Sequence, residues 1–137
     1  MIEITYDKLI PENITDSTMK DTNGAVVTFL GTTRDTFEGK KVVHLEYEAY
    51  ETMAIQKLTE ISEESKDKYD ISDISISHRI GVVGVGEISL VVAVASPHRA
   101  EAFQACNELV DRLKEVVPIW KKEIYSDGSR WVGSENI

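Results

Sequence analysis

Six cationic side chains, Arg34, His98, Arg99, Lys114, Lys121 and Lys122, stand where their surroundings give them chemical use. Ser96-Pro97-His98-Arg99 lies where an apolar run gives way to a long helical pattern. Free backbone N–H groups and the helix dipole favour an anion at such a junction, and His98 and Arg99 add donors suited to phosphate or carboxylate. A solvated turn is the competing reading, because cations in a first turn cost only ~0.3–1 kcal/mol. Arg34 follows a strand-like run in the polar stretch Gly31-Thr32-Thr33-Arg34-Asp35, the usual kind of place for site residues. A surface ion pair with Asp35 or Glu38 explains it equally well. Lys114, Lys121 and Lys122 flank Pro118. Lys114 also complements a helix C-terminus. Strand alternation sends Lys121 and Lys122 to opposite faces, so only one of them can join Lys114 in a given pocket.

Other chemically suggestive residues have plainer explanations. Gly84 and Gly86 begin a dinucleotide fingerprint, but position 89 is serine and a strand follows, so the stretch reads as a β-turn. Cys106 falls on an apolar helical stripe and reads as a core thiol. His78 shares a strand face with three isoleucines, the place of a hydrogen-bonded buried residue, while His44 lies on a polar face. Trp120 and Trp131 suit either core or interface. One cysteine and three histidines offer no zinc spacing, so neither a metal nor an organic cofactor is expected.

The elements that must position these residues follow from periodicity. Residues 2–6 alternate as a strand, 11–20 suit a short helix, Asn23-Gly24 is a turn, and 25–30 are strand formers. Residues 31–35 read as a loop and Glu38-Gly39 as a turn. Val43, Leu45, Tyr47 and Ala49 then alternate with His44, Glu46, Glu48 and Tyr50, a strand with one solvated face. Residues 51–68 place Ala54, Leu58 and Ile61 at helical spacing. Ile74, Ile76, His78 and Ile80 alternate as a strand, 81–86 form a glycine-rich connection, and 88–95 are apolar enough for a central strand buried on both faces. Ser96, as an acceptor, and Pro97, at the first helical position, open the longest helix. Its stripe is Phe103, Cys106, Val110, Leu113 and Val117. Pro118 ends it, 119–125 read as the last strand, and the tail from Ser126 is polar. The class is α+β.

With 137 residues, 42% of them hydrophobic and 28% charged, the chain reads as one globular domain spanning 1–137. Its net charge of −9 disfavours nucleic acid. The acidity is concentrated in the first half, which leaves the second half free to form a local basic pocket for a small anion or a chain terminus. The longest apolar run, Leu90 to Ala95, is far short of a bilayer span, and residues 1–9 lack a signal layout. A cytoplasmic protein without membrane association is expected.

Several of these pieces together resemble one family. Phe29-Leu30-Gly31-Thr32-Thr33-Arg34-Asp35, Leu45-Glu46-Tyr47-Glu48-Ala49-Tyr50, His78-Arg79-Ile80-Gly81, Ser96-Pro97-His98-Arg99 and Pro118-Ile119-Trp120-Lys121-Lys122-Glu123 are similar, in order and spacing, to the large, catalytic subunit of molybdopterin synthase. The resemblance runs from about Ile2 to Trp131. It implies an α/β-hammerhead fold, a large-subunit homodimer within a heterotetramer, and a small ubiquitin-like partner whose C-terminal Gly-Gly thiocarboxylate enters the large subunit. Sulfurtransferase activity is implied: two sulfurs pass to cyclic pyranopterin monophosphate, giving the dithiolene of molybdopterin in molybdenum cofactor biosynthesis. Carried over residue by residue, the substrate pocket falls on Thr32, Thr33, Arg34, His98, Arg99, Lys114, Lys121, Lys122 and Glu123, with Lys114 and Lys121 as the catalytic pair. Proline replaces the more usual alanine before His98. In some bacterial members an arginine beyond the tail's tryptophan also lines the pocket, and the matching region here is Gly133-Ser134-Glu135. The chain ends Ser134-Glu135-Asn136-Ile137 without Gly-Gly, so the sulfur carrier is expected to be a separate protein.

Physical chemistry adds two expectations. Crowding Lys114 near Lys121 lowers the pKa of one of them. Arg99 and Lys114 are 15 residues apart on one helix, which at 1.5 Å each is ~22 Å along the axis. One small pterin cannot touch both, so a composite site at the homodimer interface is expected. A noncatalytic adaptor for a ubiquitin-like tail would not need a phosphate site, and a free-standing phosphate-ester enzyme would need a nucleophile or metal that the sequence does not offer.

Overall fold

A strand apolar on both faces must lie between two covering layers, and residues 88–95 meet that condition. The computed structural model, which describes residues 1–132, places them in the interior of a four-stranded sheet. The elements run β1 (Ile2–Thr5), α1 (Pro11–Asp16), β2 (Ala25–Thr32), β3 (Thr36–Phe37), β4 (Lys40–Ala49), α2 (Glu51–Lys68), β5 (Asp73–Arg79), β6 (Gly81–Gly84), β7 (Ile88–Ser96), α3 (Arg99–Val116), β8 (Ile119–Tyr125) and β9 (Gly128–Val132). The first sheet has the order β1-β5-β7-β2, with only the β1–β5 pair parallel. The second has the order β3-β4-β8-β9, with β6 also paired to β4.

Alternation along β7 divides its side chains between two layers. Val92 and Val94 join Ile74 and Ile76 beneath α2 and α3, where Ala54, Leu58, Ile61, Ala102, Ala105, Leu109 and Leu113 cover them. Val91 and Ala93 face the other way and are closed over by Ile14 of α1. Val42, Leu45 and Tyr125 form a small separate core in the second sheet.

The structure corrects several expectations. Helix α3 begins at Arg99 with His98 as its N-cap, two residues later than the sequence suggests. Ser96 still accepts from a free N–H, that of His98 at 3.1 Å, while Pro97 lies in the bend before the helix. α2 and α3 both have 18 residues, so neither is the longest. Phe103 is 61% exposed; Ala102 and Ala105 occupy the core face instead, because small side chains let the helix approach the sheet. In β4 a bulge between Val42 and His44 breaks the alternation, burying Val42 and Leu45 and turning Val43 outward.

Other differences extend the strands. β2 continues through Thr32, so Gly31 and Thr32 leave the expected loop and enter the sheet edge. Glu38 and Gly39, at φ 50° and 79°, make the hairpin turn between β3 and β4. The glycine-rich connection contains a real strand, β6, followed by a turn at Gly86. The polar tail folds back as β9 on β8. Gly133-Ser134-Glu135 and the terminal Ser134-Glu135-Asn136-Ile137 lie outside the described residues.

Candidate active site

A cavity of about 400 Å³ opens where the two sheets meet the C-terminal end of α3. The first sheet contributes Phe29, Gly31 and Thr32 from β2, His78 from β5, and Ser89 and Leu90 from β7. The second contributes Tyr47 from β4, Ile119, Trp120 and Lys121 from β8, and Val132 from β9; α3 supplies Leu113 and Lys114. A smaller cavity of about 60 Å³ shares Thr32, Tyr47 and Lys121 with it and adds Thr33, Arg34, Phe37 and Glu123. Thr32, Thr33, Arg34, Lys114, Lys121 and Glu123 therefore gather around two adjoining cavities of one chain.

Strand pairing explains the inward turn of Lys121. β8 runs antiparallel to β4 with Lys121 opposite Tyr47, and both side chains line both cavities. Lys122 lines neither of these two cavities. Its Nζ lies 5.6 Å over the ring of Trp131, its partner across the β8–β9 pair. Burial holds the Lys121 ammonium below the ordinary lysine range. The Glu123 carboxylate opposes that shift, while the charges of Lys114, Arg34 and Arg130 reinforce it.

Glu123 is 4% exposed and accepts hydrogen bonds from the Tyr125 hydroxyl at 2.6 Å and from Arg130 at 3.1 Å. These bonds satisfy a buried carboxylate that would otherwise be expensive. Arg130 also approaches Glu38 at 3.8 Å, so Glu38 is not the partner of Arg34. Among the described residues Arg34 makes no ion pair; its guanidinium sits 5.6 Å from the centre of the Phe37 ring. Thr33 is held by backbone bonds, its N–H to Glu87 and its carbonyl accepting from Gly86. Its buried hydroxyl has no partner among the described residues. Arg130 was not singled out from the sequence; only its place opposite Glu123 in the β8–β9 pairing reveals it.

The cavity wall holds a second group, which lies outside the substrate pocket carried over from the family resemblance. The Tyr47 hydroxyl donates to Ser89 Oγ at 3.4 Å, and Ser89 donates to the Gly31 carbonyl at 3.3 Å. Burial raises the Tyr47 phenol above its usual range. His78 is buried and bonded to the Arg79 carbonyl, and it also forms part of the cavity wall.

His98 and Arg99 are not in this gathering. They stand at the N-terminal end of α3, ~22 Å along the axis from Lys114. Neither lines either of the two cavities. Cys106 is 5% exposed and burial pushes its thiol up to about 11, which keeps it protonated and unreactive. Among the described residues no group of three or more His, Cys, Asp or Glu side chains is placed to hold a metal ion. The two adjoining cavities can receive an anionic end, against Lys114 and Lys121 in the larger and against Lys121 and Arg34 in the smaller.

Comparison with known proteins bears on this geometry. Residues 4–116 match the family model described as MoaE protein. A molybdopterin synthase catalytic subunit from Bacillus subtilis is 47% identical over 133 residues, covering 97% of this chain and 85% of its own. Molybdopterin synthase catalytic subunit 1 of Aedes aegypti is 48% identical, with 95% and 86% covered. The crystal structure of molybdopterin synthase from Staphylococcus aureus superposes with a TM-score of 0.91 at 43% identity, covering 95% of each chain. That agreement bears out an α+β fold of hammerhead type. The match over most of its length and the near-complete structural overlap place the chain in the MoaE family.

Proposed function

We propose that the chain is the catalytic subunit of a molybdopterin synthase. In this reading it transfers sulfur from the thiocarboxylated Gly-Gly terminus of a small ubiquitin-like subunit to cyclic pyranopterin monophosphate. The observation that carries it is the convergence of Lys114 and Lys121 on one cavity of about 400 Å³, beside Arg34 and buried Glu123. At each of two pterin side-chain carbons the carrier's thiocarboxylate sulfur forms a C–S bond as a C–O bond to that carbon breaks. The oxygen leaves protonated as water or stays on the opened phosphate. A second water then cleaves the acyl–sulfur bond. Sulfur stays on the pterin and the carrier leaves as a carboxylate. Lys121, whose burial favours the neutral form, is suited to pass a proton, and Lys114 supplies positive charge to the oxyanion that forms at the acyl carbon. Arg34 suits the phosphate, and Glu123 holds Arg130 beside the site.

His98 and Arg99 enter this reading only from a second copy. A homodimer that brings their end of α3 to the lysine end of its partner would complete the phosphate-binding set, within a heterotetramer carrying two small subunits. No helix among the described residues is long and apolar enough to cross a membrane, and the reaction is assigned to the cytoplasm.

Mixing the chain with the thiocarboxylated small subunit and the cyclic pterin should give dithiolene product only when both are present. Lys114→Ala and Lys121→Ala should each lower the rate at least tenfold, ~1.4 kcal/mol of transition-state stabilisation. Lys122→Ala should be milder, since its side chain lies over Trp131. Near-normal transfer by both of the first two variants would overturn the assignment.

A further inference from the structure

Besides its lysines, the larger cavity has a polar strip that the proposed mechanism leaves unused: His78, Tyr47 and Ser89. His78 is 4% exposed, and its Nδ1 lies 2.8 Å from the Arg79 carbonyl oxygen. A carbonyl can only accept, so Nδ1 carries the proton and Nε2 bears a free lone pair. Among the described residues the one hydrogen bond of the ring is this one at Nδ1. Tyr47 meets the imidazole edge to face, with ring centres 5.1 Å apart, and so fixes the plane in which that lone pair lies.

The neighbouring hydroxyls cannot satisfy Nε2. Tyr47 donates to Ser89, and Ser89 donates on to Gly31, so the donors of the strip are already engaged. What remains in the strip without a hydrogen bond of its own is the Nε2 lone pair. Burial pushes the imidazole down to about 4, so it stays neutral and keeps its lone pair near neutral pH. An acceptor in a cavity wall whose neighbouring hydroxyls donate elsewhere is available to a ligand N–H.

We propose that His78 is a ligand-contacting residue whose Nε2 accepts an amide-type N–H from the molecule filling this cavity. The proposal rests on the function proposed above, which brings two such molecules here. One is the extended tail of the carrier subunit, through a peptide N–H; the other is the pterin, through its lactam ring N–H. The lysines recognise the anionic end of the ligand, and His78 recognises a neutral group at a fixed distance from it. Together they set the register in which the reacting atoms meet Lys114 and Lys121.

Calorimetry on the full chain separates the outcomes, with two probes: the small subunit bearing a plain Gly-Gly carboxylate, and cyclic pyranopterin monophosphate. His78→Phe removes the acceptor and keeps a ring; His78→Gln restores an acceptor oxygen. His78→Phe should weaken one probe about five- to tenfold and leave the other unchanged, and His78→Gln should recover most of the loss. Loss confined to the small subunit identifies the peptide N–H, and loss confined to the pterin identifies the ring N–H. Unchanged binding of both probes by a folded His78→Phe protein overturns the proposal. Equal weakening of both, without recovery in His78→Gln, assigns His78 to structure and overturns it too. If His78→Phe does not fold, His78→Leu serves as the acceptor-free variant. Should the wild-type chain bind neither probe, the proposed function falls and this proposal with it; wild-type binding with unaffected variants removes His78 alone.

Discussion

Lys121 shows how one side chain's environment decides its chemistry. Its folded-state pKa lies below the 10.5 of a free lysine, because burial outweighs the attraction of Glu123 and three other cations repel it. The unfolded chain therefore binds this proton more tightly. Stability from this group rises with pH between the folded pKa and about 10.5, and the cost of the buried charge is fully present below that window. Titration followed by NMR at the lysine Cε should give Lys121 a lower midpoint than Lys68, whose exposed ammonium is raised by Glu108. Glu123→Gln should lower the Lys121 midpoint further, and Lys114→Met should raise it. Midpoints insensitive to both changes would mean that this cluster is not electrostatically coupled. The importance of Lys121 was visible in the sequence through the family pattern around Pro118, but the aromatic and polar wall it faces was not. Tyr47 and His78 each stand in an alternating strand-like run, and nothing within either run marks them as neighbours across two sheets.

Helix α3 carries Lys114 at its last turn, so its packing sets where that ammonium can reach. Leu109, 2% exposed, lies on the core face between helix and sheet. Leu109→Ala should destabilise the chain by ~2–5 kcal/mol, read from the urea midpoint. A loss below ~1 kcal/mol would mean that the helix repacks freely and cannot hold Lys114 in place. Elements whose own composition decided them were legible from the sequence. Residues 51–68 have a helical period matching α2, and the run 88–95 is too apolar to be anything but interior. Elements decided by distant pairing were not. Gly-Val-Val-Gly is a poor strand former by itself, and β6 exists because β4 offers it an edge. β9 likewise needs β8, and with it came Arg130 beside Glu123. Phe103 fits the apolar spacing, yet the close approach of α3 to the sheet selects Ala102 and Ala105 for the interface.

For the whole molecule, the length of α3 is the governing dimension. Its two ends carry His98 with Arg99, and Lys114, ~22 Å apart. If all three serve one substrate, two copies must share each site. Co-assembly of inactive Arg99→Ala with inactive Lys114→Ala should then produce mixed dimers with one intact site and recover part of the activity. No recovery, with mixed dimers demonstrated, would place the whole site in one chain. The junction between the sheets has its own bearing on the cavity. The chain passes from β5 to β6 through Ile80 alone, and Gly81 turns the corner at φ 86°, opposite Tyr47 in the β4–β6 pairing. That corner is what brings His78 against Tyr47. Mechanically it is a pivot without slack: a connection of one residue cannot lengthen. Spreading the sheets would therefore strain the His78 end first, so the width of the cleft is held at that root.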